Sequence, residues 1–302
     1  MIKLLNTRFL FILTVFIFQV AFFSTLEAGH KKTRKYKYQI AACAMFQNEA
    51  EWLKEWIEFH RLIGVEHFYL FDNGSTDHFQ DVLKPYIKMG LIDLYHYPQV
   101  GQTQQEFLSI QLHLNMKAIE LAANEAKWLA IIDIDEFVVP LQTNSLLTVL
   151  KNYENYGGLY ANWLMFGTSN IQKIPFGCLM IEALNHSTLA PVSVGKSIVR
   201  PERVKSFKSP HYMTYKKPYY HVNTNHQVFE KTNCPIAADQ LLIFHYYTRD
   251  IDHLMNVKLP RRKKWMNVDG ASYLKEMDIY NSSLNLTMHR FIPLLQSKVF
   301  SP

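Results

Sequence analysis

Short apolar runs alternate with amphipathic segments along the first half of the chain. The apolar runs lie at residues 38–44, 67–71, 91–95 and 128–132, and each has the length of a β-strand. The segments between them carry apolar residues three or four positions apart, which predicts helices over 49–63, 79–88 and 104–123. This alternation predicts an α/β fold with a mostly parallel central sheet flanked by helices.

The first helix has clear signals at both ends. Asn48, with Glu51 three positions later, has the pattern of a capping box, and Gly64 is a typical stop. Four large apolar residues between them fall on one helical face: Trp52, Trp56, Phe59 and Ile63. We expect this face to pack on the sheet.

Polar residues directly follow three of the predicted strands. Asn48 and Glu49 follow the first, the turn 72–77 (DNGSTD) follows the second, and Asp133 and Asp135 follow the run 128–132. Ligands of parallel sheets bind beyond the carboxyl ends of the strands. We therefore expect these residues to border one site, although 72–77 is also an ordinary turn sequence.

Three acids, Asp133, Asp135 and Glu136, fall within four residues. They would repel one another if they were desolvated without a cation. Carboxylates that share a cation with substrate phosphates are typical of Mg²⁺ and Mn²⁺ sites. The pattern therefore predicts a metal site, with a solvated strand end as the alternative.

His245 and a basic cluster supply further candidate chemistry. His245 follows the apolar run 241–244, where a histidine serves either in the core or as a ligand. Five basic residues then lie within 258–264, beginning at Lys258. Such a cluster is either a solvated face or a site for a diphosphate.

Charge is concentrated at the N-terminus. Of the 32 basic and 26 acidic residues, residues 1–37 hold seven basic residues and one acid, which leaves 25 of each in the rest of the chain. A neutral body argues against a nucleic-acid-binding domain. The three cysteines show no Cys-x-x-Cys spacing, which argues against a disulfide framework and a cysteine zinc site.

The N-terminal segment contains 18 uncharged residues between Arg8 and Glu27. It is either a cleaved signal peptide or a short membrane anchor with a basic flank. We therefore expect a protein that is membrane-associated or exported, with the side of the membrane left open.

Several motifs together resemble glycosyltransferase family 92. They occur in order over about residues 40–262, at 48–49 (NE), 55–60 (EWIEFH), 64–65 (GV), 68–73 (FYLFDN), 85–87 (PYI), 132–137 (IDIDEF), 166–167 (FG), 196–201 (KSIVRP) and 245–246 (HY). The resemblance implies a GT-A-type nucleotide-sugar-binding fold, related to the inverting glycosyltransferases of family 2.

The resemblance also implies roles for individual residues. Asp133 and Asp135 would form the motif that binds the metal and the sugar nucleotide, with His245 near the metal and Asp72 near the nucleobase. The nucleotide-sugar site would further include Asn48, Glu49, Lys196 and Arg200, and we add Lys258 from the basic cluster.

The chain is thus predicted to be a metal-dependent, inverting glycosyltransferase that uses Mn²⁺ or Mg²⁺ and acts on a glycan or glycolipid. An inverting mechanism needs a carboxylate base, for which Glu230 and Asp239 are the candidates. Three aromatic residues are candidates for stacking on sugars or for the core: Tyr160, Trp163 and Phe166.

Two other functions stay open. The first alternative is a non-catalytic carbohydrate-binding protein on the same fold. The second is an Asp-x-Asp phosphatase, which the absence of a Gly-Asp pair disfavours. The predicted organisation is a hydrophobic N-terminal segment at 1–37, a glycosyltransferase domain at 38–265 and a C-terminal tail at 266–302.

Overall fold

The computed structural model describes residues 36–229 and 234–300. The predicted anchor or signal segment and the base candidate Glu230 lie outside the described residues. Within the described ranges, no helix combines the length and the apolar composition that are needed to cross a bilayer.

The strands of the described part are β1 (Tyr38–Phe46), β2 (His67–Asp72), β3 (Ile92–His96), β4 (Ala126–Ile131), β5 (Glu136–Pro140), β6 (Gly158–Met165), β7 (His186–Ser187), β8 (Gly195–Val199), β9 (Val204–Ser209), β10 (Tyr212–Tyr215), β11 (His221–Val222), β12 (Leu241–His245) and β13 (Ser283–Leu284). Its α-helices are α1 (Ala50–Leu62), α2 (Phe79–Lys88), α3 (Gln104–Ala122), α4 (Leu146–Leu150), α5 (Met180–Ala183), α6 (Ile251–His253), α7 (Leu259–Met266), α8 (Gly270–Asp278) and α9 (Ile292–Val299).

Nine strands form the central sheet. Eight of them follow the order β3-β2-β1-β4-β8-β6-β12-β5, and β11 pairs with β6. Five of the pairings are parallel, whereas β8 runs opposite to β4 and β6, and β5 runs opposite to β12. The predicted fold class, an α/β fold with a mostly parallel sheet flanked by helices, is confirmed.

The sheet separates two hydrophobic cores, because the side chains of β1 alternate between its faces. Ile40, Ala42 and Ala44 belong to one core, together with the apolar face of α1. Ala41 and Cys43 belong to the other core, which α3 covers. Helices therefore lie on both faces of the sheet.

The start of α1 differs from the prediction. Asn48 has a positive φ of 56°, and its Oδ1 accepts the backbone N–H of Thr76 at 2.7 Å. The first helical N–H, that of Ala50, donates instead to Asp77 Oδ2 at 2.8 Å. The predicted capping box with Glu51 is therefore wrong, because the neighbouring turn supplies the capping carboxylate.

Residues of the predicted C-terminal tail are folded against the body. The ring of Phe291 lies 5.1 Å from that of Phe59, and Leu295 is fully buried in the same core. The Arg290 guanidinium donates to the carbonyl oxygens of Pro140 and Leu141, where β5 ends. The domain boundaries stay a prediction, but the packed structure continues well past residue 265.

Candidate active site

A cleft of about 1030 Å³ opens at one edge of the central sheet. The carboxyl ends of β1, β4 and β12 reach this edge, and β8 begins there because it runs antiparallel to its neighbours. Residues that are far apart in the chain therefore border the same cleft, among them Asn48, Asp133, Lys196, His245 and Lys258.

The acidic loop between β4 and β5 is held by buried hydrogen bonds. The indole N–H of Trp56 donates to the carbonyl oxygens of Asp133 at 3.1 Å and Glu136 at 2.9 Å. The Asp135 carbonyl accepts the N–H of Tyr246 at 2.8 Å. Helix α1 and strand β12 thus fix the backbone that presents Asp133 and Asp135 to the cleft.

Asp133 is paired with a buried lysine. Lys196 Nζ lies 2.8 Å from Asp133 Oδ2 and 3.6 Å from Glu136 Oε2, and Gln111 donates to Asp133 Oδ1 at 3.0 Å. Burial opposes the charge on Lys196, yet the carboxylates of Asp133 and Glu136 outweigh it and raise its pKa. Lys196 therefore serves as a fixed positive charge beneath the acidic loop.

Glu136 does not face the cleft. Its side chain is 0% exposed, and its Oε2 accepts the Asp133 N–H at 2.9 Å. Burial raises the pKa of Glu136 well above its usual value, even though Lys196 acts in the opposite direction. Glu136 therefore stabilises the acidic loop.

Asp135 lies between a lysine and a histidine. Lys258 Nζ is 2.8 Å from its Oδ2, and His245 Nε2 is 3.4 Å from its Oδ1. Burial alone would raise the pKa of Asp135, but Lys258 and His245 hold it well below its usual value. Burial lowers the pKa of His245, and Asp135 only partly offsets this effect. The pair thus consists of a carboxylate and a neutral imidazole.

The Asp135 and His245 pair fits two neighbouring positions of a divalent cation. With bonds of about 2.1 Å, adjacent ligands of an octahedral ion lie about 3 Å apart, close to the 3.4 Å between Oδ1 and Nε2. In the described part of the chain, no group of three or more histidine, cysteine, aspartate or glutamate residues is arranged to hold a metal. Further ligands would have to come from a substrate or from water.

The basic cluster reaches the cleft through a π-helical turn, Leu254–Lys258, that leads into α7. Lys258 is buried, and its ammonium lies 4.4 Å from the centre of the Tyr247 ring. Arg262 Nε donates to the Tyr247 hydroxyl at 2.7 Å, and Arg261 also lines the cleft. Of the two interpretations of this cluster, a diphosphate site is favoured over a solvated face, because Lys258 pairs with Asp135 and both arginines line the cleft.

The Asn48–Glu49 turn forms another wall of the cleft. The Asn48 N–H donates to Ser75 Oγ at 2.9 Å, which ties this turn to the one after β2. Glu49 pairs with the buried guanidinium of Arg249. The structure thus brings both predicted residues to the site.

Asp72 does not line the cleft, contrary to expectation. It is buried and accepts the Ser75 N–H at 2.8 Å, while its other oxygen lies 2.6 Å from His96 Nδ1. Its neighbours Asn73 and Asp77 line the cleft instead. Because these local contacts engage both oxygens of the Asp72 carboxylate, Asp72 stabilises the turn.

Arg200 follows the opposite end of β8 from Lys196 and does not line the cleft, contrary to expectation. Since β8 is antiparallel to β4, its last residues pair near Leu129, away from the cleft. The Arg200 guanidinium donates to the Tyr36 hydroxyl at 2.9 Å and pairs with Glu202 at 2.9 Å. Its role is structural.

Asp239, a candidate base, also lies away from the cleft. It precedes β12, whose other end carries His245. Its Oδ1 accepts the Thr224 hydroxyl at 2.8 Å. A strand advances about 3.3 Å per residue, so the length of β12 separates Asp239 from the acids.

The three aromatic candidates differ in whether they are buried in a core or line the cleft. Tyr160 and Phe166 are buried in the cores, whereas Trp163 lines the cleft. The Trp163 ring lies 4.8 Å from His211 and 4.6 Å from His245. Only Trp163 of the three is placed to meet a sugar.

Sequence reasoning missed the wall built by α8 and the residues after it. Tyr273, Glu276, Met277 and Tyr280 all line the cleft. Their spacing of three, one and three positions is that of a single helical face. This spacing is visible in the sequence and could have indicated the wall. His211 and Gln111 carried no comparable signal, since each stands alone.

The sequence pattern of glycosyltransferase family 92 matches residues 37–281. The chain belongs to glycosyltransferase family 92. The matched span runs past the boundary predicted at residue 265 and includes α8. The implied GT-A type of fold agrees with the observed sheet.

Relatives of family 92 are about a quarter identical to this chain over the residues that align. A glycosyltransferase family 92 protein of Ricinus communis is 28% identical over 218 residues, which is 65% of this chain and 35% of the relative. The galactan β-1,4-galactosyltransferase GALS2 of Arabidopsis thaliana is 27% identical over 142 residues, 44% of this chain and 26% of that protein. The chain therefore spans about a third of the length of these relatives. The family and these names support the predicted enzyme class.

Two solved structures show a distant likeness. S. aureus TarS 1-349 in complex with UDP-GlcNAc has 11% identity and a TM-score of 0.36, covering 87% of this chain and 73% of that chain. Glucosyl-3-phosphoglycerate synthase from Mycobacterium tuberculosis, in complex with Mn²⁺, UDP and glucosyl-3-phosphoglycerate, has 15% identity and a TM-score of 0.30, covering 55% of this chain and 57% of that chain.

Proposed function

We propose that this protein is a metal-dependent glycosyltransferase that transfers a sugar from a nucleoside-diphosphate donor to an acceptor hydroxyl, with inversion at the anomeric carbon. The observation that carries the proposal is the position of Asp135 at the cleft, between Lys258 at 2.8 Å and His245 at 3.4 Å. A carboxylate, a neutral imidazole and an ammonium side by side suit a diphosphate that binds together with a cation.

Asp135 and His245 would hold Mn²⁺ or Mg²⁺, with Asp133 beside them. Such a cation, when bound, stabilises negative charge on the departing diphosphate. Lys258, Arg261 and Arg262 add fixed positive charge at the same wall of the cleft. Trp163 offers an aromatic face to a sugar ring.

Galactose is the first donor sugar to test. Two Arabidopsis thaliana relatives named galactan β-1,4-galactosyltransferases are 27% and 29% identical to this chain over 142 and 135 residues. We therefore propose a glycan, such as a galactan oligosaccharide, as the acceptor. The balanced charge of residues 38–302 gives no support to a nucleic-acid partner.

The proposal is tested by incubating the full chain with a galactan oligosaccharide and UDP-galactose, UDP-glucose, UDP-GlcNAc or GDP-mannose. Each reaction is run with Mn²⁺ and with EDTA, and products are detected by mass spectrometry. We expect transfer from one donor, dependent on the added metal. A wild-type protein that binds oligosaccharides and cleaves no donor would favour the carbohydrate-binding alternative.

Asp135→Asn provides the first variant. It removes the charge that a cation needs, so we expect transfer to fall by at least about 100-fold. Asp239→Asn is the matched control, because Asp239 is exposed and lies at the far end of β12. Activity of Asp135→Asn within a few-fold of the control would contradict the metal site.

A further inference from the structure

The carboxylates of the cleft differ in whether they already have partners. Four of the acids that line it are engaged, in each case by a group of the protein: Glu49 by Arg249, Asp77 by the Ala50 N–H, Asp133 by Lys196 and Asp135 by Lys258. Among the described residues, Glu51 and Glu276 line the cleft without a hydrogen bond or an ion pair on their carboxylates.

Glu276 lies on the same side of the cleft as Asp135. Glu276 lies four positions before Tyr280, the spacing of neighbouring side chains on one helical face, and both residues line the cleft. The Tyr280 ring lies 6.3 Å from that of Tyr247, whose ring lies 5.5 Å from that of His245. A short series of aromatic contacts thus connects Glu276 to the proposed diphosphate site.

Helix α8 holds Glu276 in place. Tyr273 and Met277, on the same helical face, are buried in a small core with Leu254 and Leu259. The Tyr273 hydroxyl lies 3.0 Å from the Tyr247 hydroxyl. The helix is therefore fixed to the wall that carries Lys258, while the Glu276 carboxylate itself is exposed.

Glu51 belongs to a different wall. It lies in the first turn of α1, next to Asn48 and Glu49, where the turn after β2 is attached. No contact connects it to His245 or Tyr247 in the described part of the chain. Of the two unengaged acids, Glu276 alone is connected to the acid and histidine pair.

We propose that Glu276 is the general base of the transfer reaction, an inference that rests on the proposed glycosyltransferase function. The acceptor O–H proton moves to a Glu276 carboxylate oxygen as the acceptor oxygen bonds to the anomeric carbon. The bond from that carbon to the phosphate oxygen breaks, and its electron pair leaves with the diphosphate. The acceptor thus enters between α8 and Trp163, with Tyr247 and Tyr280 as apolar faces.

The exposure of Glu276 suits this step. A base must be reached by an acceptor that arrives from solvent after the donor has occupied the floor of the cleft. The four engaged acids are less suited to this step, since a group of the protein already holds at least one oxygen of each.

The first experiment compares Glu276→Gln with Glu51→Gln, using UDP-galactose, a galactan oligosaccharide and Mn²⁺. We expect Glu276→Gln to lower kcat for transfer by about 10²–10⁴-fold, the usual contribution of a general base. Its melting temperature and its Kd for UDP-galactose should stay at the wild-type values. Glu51→Gln should transfer within a few-fold of wild type.

The second experiment supplies Glu276→Ala with sodium azide in place of the oligosaccharide. Azide is an anion and attacks without giving up a proton, so it does not need a base. We expect the variant to form galactosyl azide and UDP at a rate close to wild type while transfer to the oligosaccharide stays lost. A structural role would lower both reactions equally.

The outcomes separate this inference from the proposed function. An active wild type with Glu276→Gln at undiminished kcat would overturn the role of Glu276 alone. A loss of both oligosaccharide transfer and azide cleavage in Glu276→Ala would also overturn it. A wild type that uses neither acceptor with any of the four donor nucleotides would refute the glycosyltransferase proposal itself.

Discussion

His60 should make the stability of this protein depend on pH. Its Nδ1–H donates to the Trp56 carbonyl at 2.8 Å, and its Nε2 accepts the Val138 N–H at 3.2 Å. The ring is 0% exposed, and burial lowers its pKa to about 3, although the bond to Trp56 acts in the opposite direction. A second ring proton would face the Val138 N–H.

The sign and the size of the effect follow from the two pKa values of His60. The unfolded chain takes up the proton near the ordinary value of 6.5, whereas the folded protein does so near 3. Between these values the unfolded state binds more protons, so the free energy of unfolding falls as the pH falls. From pH 7.5 to pH 5, His60 should therefore contribute a loss of about 2 kcal/mol.

Urea unfolding of the wild type and of His60→Gln at pH 7.5 and pH 5 measures this effect. Glutamine has a similar reach and can accept the Val138 N–H, but it does not titrate. Other buried histidines add to the wild-type slope, since burial also lowers the pKa of His211 and His221 to about 4. The difference between the two proteins isolates His60, and equal pH slopes would refute the reasoning.

Two further predictions concern strand β8. Arg200→Met should lower the free energy of unfolding by about 1–3 kcal/mol, because it breaks the bonds to Tyr36 and Glu202. The same variant should leave the Kd for UDP-galactose unchanged. Gly195→Ala would place a Cβ 1.9 Å from the Ala161 carbonyl oxygen, so we expect a loss of at least about 3 kcal/mol. Gly270→Ala, whose Cβ meets only the end of the Lys263 side chain, should unfold at nearly the wild-type urea concentration.

The first half of the fold was predictable from local patterns. The pattern of apolar residues within one stretch of sequence indicates each of β1, β2, β4 and α1. Polar residues directly follow the strands. The acidic loop was found because three carboxylates after a buried strand are unusual without a partner. That Lys196 pairs with Asp133 was not predictable from the sequence, because Lys196 lies far along the chain and reaches Asp133 only through an antiparallel strand.

The direction of β8 explains why Arg200 lies away from the cleft. The stretch 196–201 is continuous in sequence, but its two ends lie on opposite edges of the sheet. Lys196 therefore supports the cleft and Arg200 does not. Strand direction depends on tertiary pairing, which a short apolar run such as 197–199 does not encode.

Strand β12 also affects the order in which the chain can fold during synthesis. β1, β2, β3 and β4 all lie within residues 38–131, so these parallel strands can pair early. β5 ends at residue 140, but β12, its partner in the described sheet, begins at residue 241. Until the ribosome has released that segment, β5 presents unpaired edges that other chains can join. The nascent protein should therefore depend most on chaperones while residues 141–245 are being made.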